Sequence, residues 1–303
     1  MRVHRGFGHP HLAAACALTI GNFDGVHRGH QAMLALLNSE ARHRGLPSCV
    51  MTFEPHPRDY FAARLGRPLD APARVATLRD KLLELSRCGV DQVIVMRFDA
   101  SLAAMPADSF VQTVLVDGLH ARYVLVGDDF RFGARRAGDY AMLDALGDAH
   151  GFDVARMQSY EVHDARVSSS AVREALAQGN MAQAQALLGR PHALSGRVMH
   201  GRKLGRELGF RTMNLKFPAA QSAASGIFVA AVHGLSSRAL PAVASIGVRP
   251  TVEDAGRVLI EVHCLEWPTT LGPDAAYGRC VTVTLTHKLH DELHYDSMPA
   301  LQA

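Results

Sequence analysis

Short apolar runs alternate with helical patterns through about the first 190 residues, and this alternation constrains the fold more than any other feature of the chain. The predicted strands are Cys16–Ile20 and residues 48–53, 92–98, 123–127 and 154–157. Helical patterns at residues 31–44 and 74–88 lie between them, and Gly89 ends the second. This order predicts an α/β, Rossmann-like parallel sheet with helices on both faces, and ligands bound beyond the carboxyl ends of its strands.

The pattern changes after Pro191, where β-rich segments follow one another without long helices between them. These segments are residues 195–200, 226–235, 239–248, 258–267 and 280–288. Closely spaced strands separated by Gly, Pro and polar turns predict a small antiparallel β-barrel. A chain of 303 residues also exceeds the usual size of one hydrophobic core. We therefore predict two domains, at residues 1–188 and 189–303.

Composition narrows the class of protein. The formal net charge is +3 and no long basic block occurs, so a nucleic-acid partner is not expected. Five scattered cysteines without a Cys-x-x-Cys pair are typical of a reducing compartment. No apolar run approaches the roughly 18 residues that a membrane span needs, and cleavage of an N-terminal signal would remove the first predicted strand. These features predict a cytoplasmic protein that does not enter a membrane.

Residues 21–30 directly follow the first predicted strand and read Gly-Asn-Phe-Asp-Gly-Val-His-Arg-Gly-His. A strand that runs through a glycine turn into a helix start directs backbone N–H groups and a positive helix end at one point, where a nucleotide phosphate binds. His27 and His30 lie near that point and are candidates to donate to a leaving pyrophosphate, which indicates adenylyl transfer. A tight turn with two surface histidines is the alternative. The predicted nucleotide contacts in this segment also include Gly21, Asn22, Phe23 and Asp24.

The segment 126–133 follows another predicted strand and places two aromatic residues beside a carboxylate. Adenine and isoalloxazine rings need such faces and edge partners. We therefore predict that Gly127 and Asp129 bind nucleotide and that Phe130 and Phe132 bind flavin. A loop that only packs Phe130 into the core is the alternative.

Three hydroxyls open a predicted helix that runs to Gly179, and an arginine follows one turn later. Ser168, Ser169, Ser170 and Arg173 together form a cluster of donors suited to a triphosphate. Simple capping of the helix by one of the serines is the alternative.

The barrel half carries its own candidate residues. The segment 200–210 is glycine-rich and basic, which suits it to lie over phosphates, and its candidate contacts are Gly201, Lys203 and Gly205. Glu261 alternates with His263 in a predicted strand, so the two share a face. A solvated surface glutamate is the alternative for Glu261.

Three histidines near the C-terminal end invite a metal-site interpretation. His287, His290 and His294 are spaced to line one helix face. No acidic or thiolate partner accompanies them at ligand spacing, so surface histidines are expected instead.

These motifs cover nearly the whole chain, and in this order they resemble the bacterial bifunctional riboflavin kinase/FAD synthetase family. Residues 21–30 resemble the family's nucleotidyltransferase motif. The resemblance implies that Phe53 lies near the flavin and that Thr212 and Asn214 supply oxygen ligands to magnesium bound with ATP. It also implies that Glu261 takes the proton from the ribityl 5′-hydroxyl. Segments 245–251 and 277–279 resemble family segments that flank this second site.

The chain departs from the family pattern at several positions. Ser170 replaces a threonine and keeps the hydroxyl, whereas Arg211 and Met213 replace a proline and an alanine beside the implied metal ligands. His290 replaces an arginine. Family members continue beyond the segment that ends at Ala303, so a shortened C-terminal end is expected.

The resemblance implies two reactions in one chain. The barrel would phosphorylate riboflavin with Mg²⁺ and ATP to give FMN, and the first domain would transfer AMP from a second ATP to FMN, giving FAD and pyrophosphate. Flavins are then substrates and products rather than prosthetic groups. His27, His30 and Arg173 would neutralise the leaving pyrophosphate together with Mg²⁺.

Three alternatives remain open at this point. One is an adenylyltransferase whose barrel binds flavin without phosphorylating it, and another is a flavin- or nucleotide-binding regulator without turnover. A class I aminoacyl-tRNA synthetase shares the His-x-Gly-His turn, but this chain lacks a lysine-rich second signature.

Overall fold

The computed structural model describes residues 1–158, 160–162, 165–200, 212–248, 258–272 and 274–292. The chain forms two compact units. The first comprises Met1–Pro72 and Lys81–Ser168, and the second comprises Ala73–Asp80 and Ser169–Ala303. Residues 169–188 group with the second unit, and the domain boundary at residues 188 and 189 stays a prediction.

A six-stranded parallel sheet organises the first unit and confirms the predicted fold class. Its strands are β1 (Arg2–Arg5), β2 (Cys16–Ile20), β3 (Ser48–Glu54), β4 (Gln92–Arg97), β5 (Ala121–Gly127) and β6 (Asp153–Met157). Their order is β1-β4-β3-β2-β5-β6, and every neighbouring pair is parallel. Strands β2 to β4 are almost continuously buried, as expected when helices cover both faces. The sequence pattern did not reveal β1, because only one of its four residues is buried.

Helices connect these strands. They are α1 (Arg28–His43), α2 (Pro57–Arg64), α3 (Leu78–Arg87), α4 (Ala100–Ala104), α5 (Ala107–Phe110) and α6 (Tyr140–His150), with a π-helical segment, Val111–Val116, directly after α5. On one sheet face, Leu18 and Ile20 pack in a core cluster with Val114. On the other face, the Thr19 hydroxyl donates to Met33 Sδ of α1 at 3.3 Å. Successive residues of β2 therefore contact helical segments on opposite faces, as predicted.

The start of α3 differs from the sequence prediction. The expected helix began at residue 74, whereas the observed one begins at Leu78. The Asp80 N–H donates to Thr77 Oγ1 at 3.1 Å, and the Thr77 hydroxyl donates to Asp80 Oδ2 at 2.6 Å. This reciprocal pair satisfies a free N–H of the first turn, so the helix begins directly after Thr77.

Short elements follow the sheet. The strands β7 (Glu161–Val162) and β8 (Ala165–Arg166) pair with each other, and α7 (Ser169–Ala177) and α8 (Met181–Leu188) belong to the second unit. Gly189 caps α8 with φ 73°, a left-handed conformation that glycine adopts without steric cost.

A closed antiparallel barrel of six strands forms most of the second unit and confirms the second half of the predicted architecture. Its strands are β9 (Ala193–Met199), β10 (Thr212–Lys216), β11 (Gly226–His233), β12 (Leu240–Val248), β13 (Val258–Cys264) and β14 (Cys280–His290). They lie in the order β10-β13-β12-β11-β14-β9, and β9 pairs with β10 to close the barrel. Alternate residues of β13 are buried, as expected of a strand with one face in the barrel core.

Two sequence expectations are corrected in the barrel. The pattern did not reveal β10, which is only five residues long and lies close behind the glycine-rich segment 200–210. His287 and His290 lie in β14 rather than on a helix, and His294 lies outside the described residues. In the described part of the chain, no group of three or more His, Cys, Asp or Glu side chains is arranged to hold a metal. Nor does any helix described there have both the length and the apolar character of a membrane span.

Candidate active sites

The turn after β2 leaves the sheet at its topological switch point. Strands β3 and β4 lie on one side of β2, and β5 and β6 lie on the other. In open parallel sheets the crevice at this point binds ligands. Three residues of the turn have positive φ: Phe23 (49°), Gly25 (85°) and Val26 (42°). A positive φ is unusual for a β-branched residue such as Val26. Phe23 and Val26 are fully buried, so packing holds this strained backbone in place.

Two histidines meet where the turn becomes α1. His27 is the N-cap, and its Nδ1 accepts a hydrogen bond from the His30 N–H at 3.3 Å. The two imidazole rings stack with centroids 3.6 Å apart, and the Phe23 ring lies 4.9 Å from that of His30. A Cβ on Gly29 would stand 3.3 Å from the His27 ring, so the glycine leaves room for the stack. His27 is only 6 % exposed, which argues against an ordinary surface histidine.

The electrostatics of the turn favour a neutral imidazole at His30. Burial lowers the pKa of His30 well below its ordinary value, and the neighbouring His27 and Lys81 lower it further. Among the described residues, neither His30 Nδ1 nor Asn22 Oδ1 has a hydrogen-bond partner, although both atoms are buried. Buried polar atoms are nearly always paired. Bound substrate is therefore a natural source of the missing hydrogen bonds.

We expect the free energy of unfolding to fall as the pH drops from 7.5 to 5.5. Because the pKa of His30 is lowered in the folded state, the unfolded chain binds more protons below pH 6.5. The contribution of His30 is thus complete above that pH and is lost as the pH falls. Urea denaturation at both pH values measures the difference, which should be smaller in His30→Gln.

The matched control is His43→Gln, which removes an exposed histidine from the same helix. This variant should keep the pH dependence of the wild type. An equal pH dependence in His30→Gln and the wild type would contradict the prediction.

The aromatic loop after β5 places its two phenylalanines differently. Phe130 and Phe132 stack with centroids 5.5 Å apart, and Phe132 also packs 5.8 Å from Phe110 in the core. Phe130 is partly buried against the same cluster. The outer ring of Phe130 is thus the more accessible of the two, and flavin binding by either stays a prediction.

Acidic residues and an arginine surround the start of this loop. The Phe130 N–H donates to the Gly127 carbonyl at 3.3 Å, which forms a tight turn. Arg166 Nη2 lies 3.6 Å from Asp128 Oδ1 and also 3.6 Å from Asp129 Oδ2. Nucleotide binding by Gly127 and Asp129 stays a prediction.

Phe53, the next-to-last residue of β3, lies in an aromatic cluster that the sequence did not reveal. Its ring lies edge-on to Phe98, 5.8 Å away, and Tyr60 and Phe61 contact Phe98 at 5.4 and 5.7 Å. His56 is buried, and its Nδ1 caps α2 by accepting from the Arg58 N–H. The close spacing of three aromatic residues between positions 53 and 61 was the available signal. Flavin binding by Phe53 stays a prediction.

The serine cluster lies at the start of α7. Ser169 is the first residue of the helix, Ser168 precedes it, and Ser170 is exposed. Arg173, one turn later, donates from Nε to the Ala73 carbonyl at 2.7 Å. This bond orients the guanidinium, and the triphosphate contacts of all four residues stay predictions.

The barrel brings three predicted residues onto one face. Asn214 of β10 pairs directly with Glu261 of β13, and Thr212 pairs with His263. On the other side of β13, Ser245 of β12 pairs with Glu261. Directly opposed residues in antiparallel strands share a face, with Cβ atoms about 5 Å apart. Glu261 is therefore flanked by an amide and a hydroxyl in one row across three strands.

A second carboxylate reaches the same row. The Ser245 hydroxyl donates to Glu292 Oε1 at 2.7 Å, and the Glu292 carboxylate lies against Gly247, where a Cβ would overlap it. The sequence did not link these residues, because they are 47 positions apart. Gly201, Lys203, Gly205 and Arg211 lie outside the described residues.

The first unit has a parallel sheet with a histidine-capped helix at its switch point, and the second has a barrel with a carboxylate–amide face. Together these features define a two-domain nucleotide-dependent transferase. Comparisons with known proteins agree. The FAD synthetase family model matches residues 9–171, and the riboflavin kinase model matches residues 188–303. The chain belongs to the family of bifunctional riboflavin kinase/FMN adenylyltransferases.

Curated relatives of that name match at high identity over most of both chains. The Escherichia coli K12 protein is 46% identical over 288 residues, covering 95% of this chain and 88% of the relative. The Pseudomonas fluorescens protein is 43% identical over 287 residues with the same coverage. The Haemophilus influenzae protein is 40% identical over 287 residues, covering 95% of this chain and 90% of the relative.

A solved structure supports the fold. A crystal structure described as a macrolide-efflux protein from Streptococcus pneumoniae superposes with a TM-score of 0.76 at 25% identity. The match covers 100% of this chain and 95% of that one.

Proposed function

We propose that this chain carries out both reactions named for its relatives, one in each unit. The barrel phosphorylates riboflavin to FMN with ATP, and the parallel-sheet unit transfers AMP from a second ATP to FMN, giving FAD and pyrophosphate. The observation that carries the proposal is the presence of two separate built sites, the His27–His30 stack and the Asn214–Glu261 row. A binding protein without turnover has no use for a base such as Glu261.

Adenylyl transfer needs positioning and charge stabilisation rather than a covalent enzyme intermediate. The FMN phosphate attacks the α-phosphorus of ATP, and negative charge builds on the departing pyrophosphate. His27 and His30 lie at the positive N-terminus of α1 and are placed to donate hydrogen bonds to that charge. Asn22, whose Oδ1 is buried without a partner among the described residues, completes the polar lining of the turn.

Phosphorylation of riboflavin needs a base for the attacking hydroxyl. Glu261 accepts the proton of the ribityl 5′-hydroxyl as its oxygen attacks the γ-phosphorus of ATP, and ADP leaves. General-base assistance contributes roughly two to four decades in rate. Ser245 and Asn214 flank Glu261 on the neighbouring strands. These three residues form the face on which the ribityl 5′-hydroxyl of riboflavin binds.

The same face suits magnesium. The side chains of Thr212 and Asn214 supply neutral oxygens beside the Glu261 carboxylate, and this all-oxygen set fits a hard cation. Asn214 is only 7 % exposed. A bound Mg²⁺ would supply charge neutralisation for the ATP phosphates.

Met213, which replaces the family's alanine, lies on the other face of β10. It pairs with Val262 and is buried in the barrel interior. We expect Met213→Ala to lower the free energy of unfolding by about 2–4 kcal/mol, because it leaves a cavity. The KM for Mg-ATP in riboflavin phosphorylation should stay within about twofold, since the ligand face is unchanged. Urea denaturation and steady-state kinetics measure both values, and a large rise in KM at unchanged stability would contradict this placement.

We also propose that the enzyme acts in the cytoplasm, without nucleic-acid or membrane partners. All five cysteines are free thiols in the structure, which suits a reducing compartment.

The experiment that tests the proposal is a timed separation of flavins after riboflavin, ATP and Mg²⁺ are mixed with the purified protein. A transient of FMN followed by FAD is expected. Unchanged riboflavin together with conversion of added FMN would show an adenylyltransferase with an inactive barrel. No conversion of either flavin would favour a regulator without turnover.

A further inference from the structure

Lys81 is a fully buried lysine for which the sequence motifs provide no role. Its side chain is 1 % exposed, whereas lysine is almost never fully buried without a partner. It lies in the first turns of α3, and its Nζ donates to Thr52 Oγ1 of β3 at 3.2 Å. Burying an ammonium group costs free energy even when it is hydrogen-bonded. A fold that only needed packing at this position would use an apolar side chain.

Thr52 links this ammonium to the nucleotide turn. The Thr52 hydroxyl donates to the Asn22 carbonyl at 3.2 Å. A hydroxyl carries one proton and two lone pairs, so Thr52 accepts from Lys81 while it donates to Asn22. The Gly21 N–H meanwhile donates to the Met51 carbonyl at 3.0 Å. The backbone is thus clamped from β3 at two successive residues just before it enters the turn.

These hydrogen bonds hold the backbone directly before its strained residues. Asn22 immediately precedes Phe23, the first residue of the turn with positive φ, and strained residues persist only when their surroundings over-determine them. The orientation of the Asn22 carbonyl fixes the peptide plane from which the turn starts. Lys81 is also close enough to His30 to influence its protonation, so its charge acts at the same site.

We propose that Lys81 is a positioning residue for adenylyl transfer, and that through Thr52 its buried ammonium fixes the turn that presents His27 and His30 to the leaving pyrophosphate. The inference rests on the adenylyl transfer proposed above for this unit. In this role Lys81 acts through the hydrogen bonds from Thr52 to the Asn22 carbonyl and through its charge near His30.

The test uses substitutions that conserve shape. Lys81→Met keeps the length of the side chain and removes the charge, and Thr52→Val keeps the volume and removes the hydroxyl. Each should lower kcat for FMN adenylylation by about 10- to 100-fold, as expected when catalytic groups shift by up to about 1 Å. Riboflavin phosphorylation by the same preparations serves as the internal control and should change by less than about twofold.

Matched variants distinguish a loss of positioning at the adenylylation site from a general loss of structure. Thr52→Ser restores the hydroxyl and should recover most of the adenylylation lost in Thr52→Val. Arg87→Met removes an exposed cation from the same helix and should leave both activities unchanged. The double variant of Lys81→Met and Thr52→Val should lose little more than the more severe single variant, because the two residues act in one chain of hydrogen bonds.

The pH profile of FMN adenylylation is a further measurement, and it should not change if Lys81 only supports the fold. Among the described residues, His27 from the start of α1 and Lys81 from α3 are the titratable groups identified as acting on His30. Removing the Lys81 charge should move the His30 inflection in the adenylylation profile to higher pH. Full adenylylation in Lys81→Met, additive losses in the double variant, or equal loss of both activities would each overturn the inference. A wild-type protein that cannot adenylylate FMN would instead refute the proposed function.

Discussion

Replacing His30 by alanine is expected to lower kcat for FMN adenylylation by about 10²- to 10³-fold, the usual cost of one donor to a developing oxyanion. His30 contributes to the cap of α1 only through its backbone N–H, which donates to His27 Nδ1. The substitution therefore removes the ring but keeps the cap and the helix. Conversion of supplied FMN and ATP to FAD, followed by separation of the flavins, measures the loss.

His27→Ala provides an instructive comparison. It removes a donor and also the N-cap acceptor of α1, so it should lower stability by about 1 kcal/mol in addition to the rate. His43→Ala changes an exposed histidine on the same helix and is the matched control. Riboflavin phosphorylation should survive in all three variants. Adenylylation at the wild-type rate in His30→Ala would refute the role of the stacked pair.

Replacing Glu261 by glutamine is expected to lower riboflavin phosphorylation by about 10²- to 10⁴-fold, because the amide keeps the size of the side chain but cannot accept the proton. Glu261 pairs through its backbone with Asn214 and Ser245. Neither backbone pairing involves the carboxylate, so the barrel should keep its fold. FMN formation from riboflavin, with Mg²⁺ and ATP in excess, measures the loss.

Because each reaction is assigned to a different unit, adenylylation serves as the control for the Glu261 variant. Glu261→Gln should still convert supplied FMN to FAD at the wild-type rate, since the His27–His30 site lies in the first unit. Glu266→Gln, which changes a surface carboxylate paired with Arg238 at 3.6 Å, should leave both activities intact. Equal loss of both reactions in Glu261→Gln would contradict the assignment of one reaction to each unit.

Features that depend on neighbours in sequence were predictable. The apolar run of β2, the glycines of the turn and the His-x-x-His spacing all lie within 15 residues, so local geometry alone brings the histidines to the helix start. Glu261 and His263 shared a face by strand alternation. Where the local pattern was weak, it failed. The four residues of β1 and the five of β10 became strands because a neighbouring strand pairs with them.

The sequence by itself determined the class of each half and the histidine-bearing turn before α1, because periodicity and short motifs follow from local sterics and burial. Only the tertiary structure decided which distant residues lie together. Strand register placed Asn214 and Ser245 on either side of Glu261, and packing of α3 brought Lys81 to Thr52, 29 positions away. Such pairs form when the core and the strand ladders close, since that closure, rather than any local pattern, sets the distance between them.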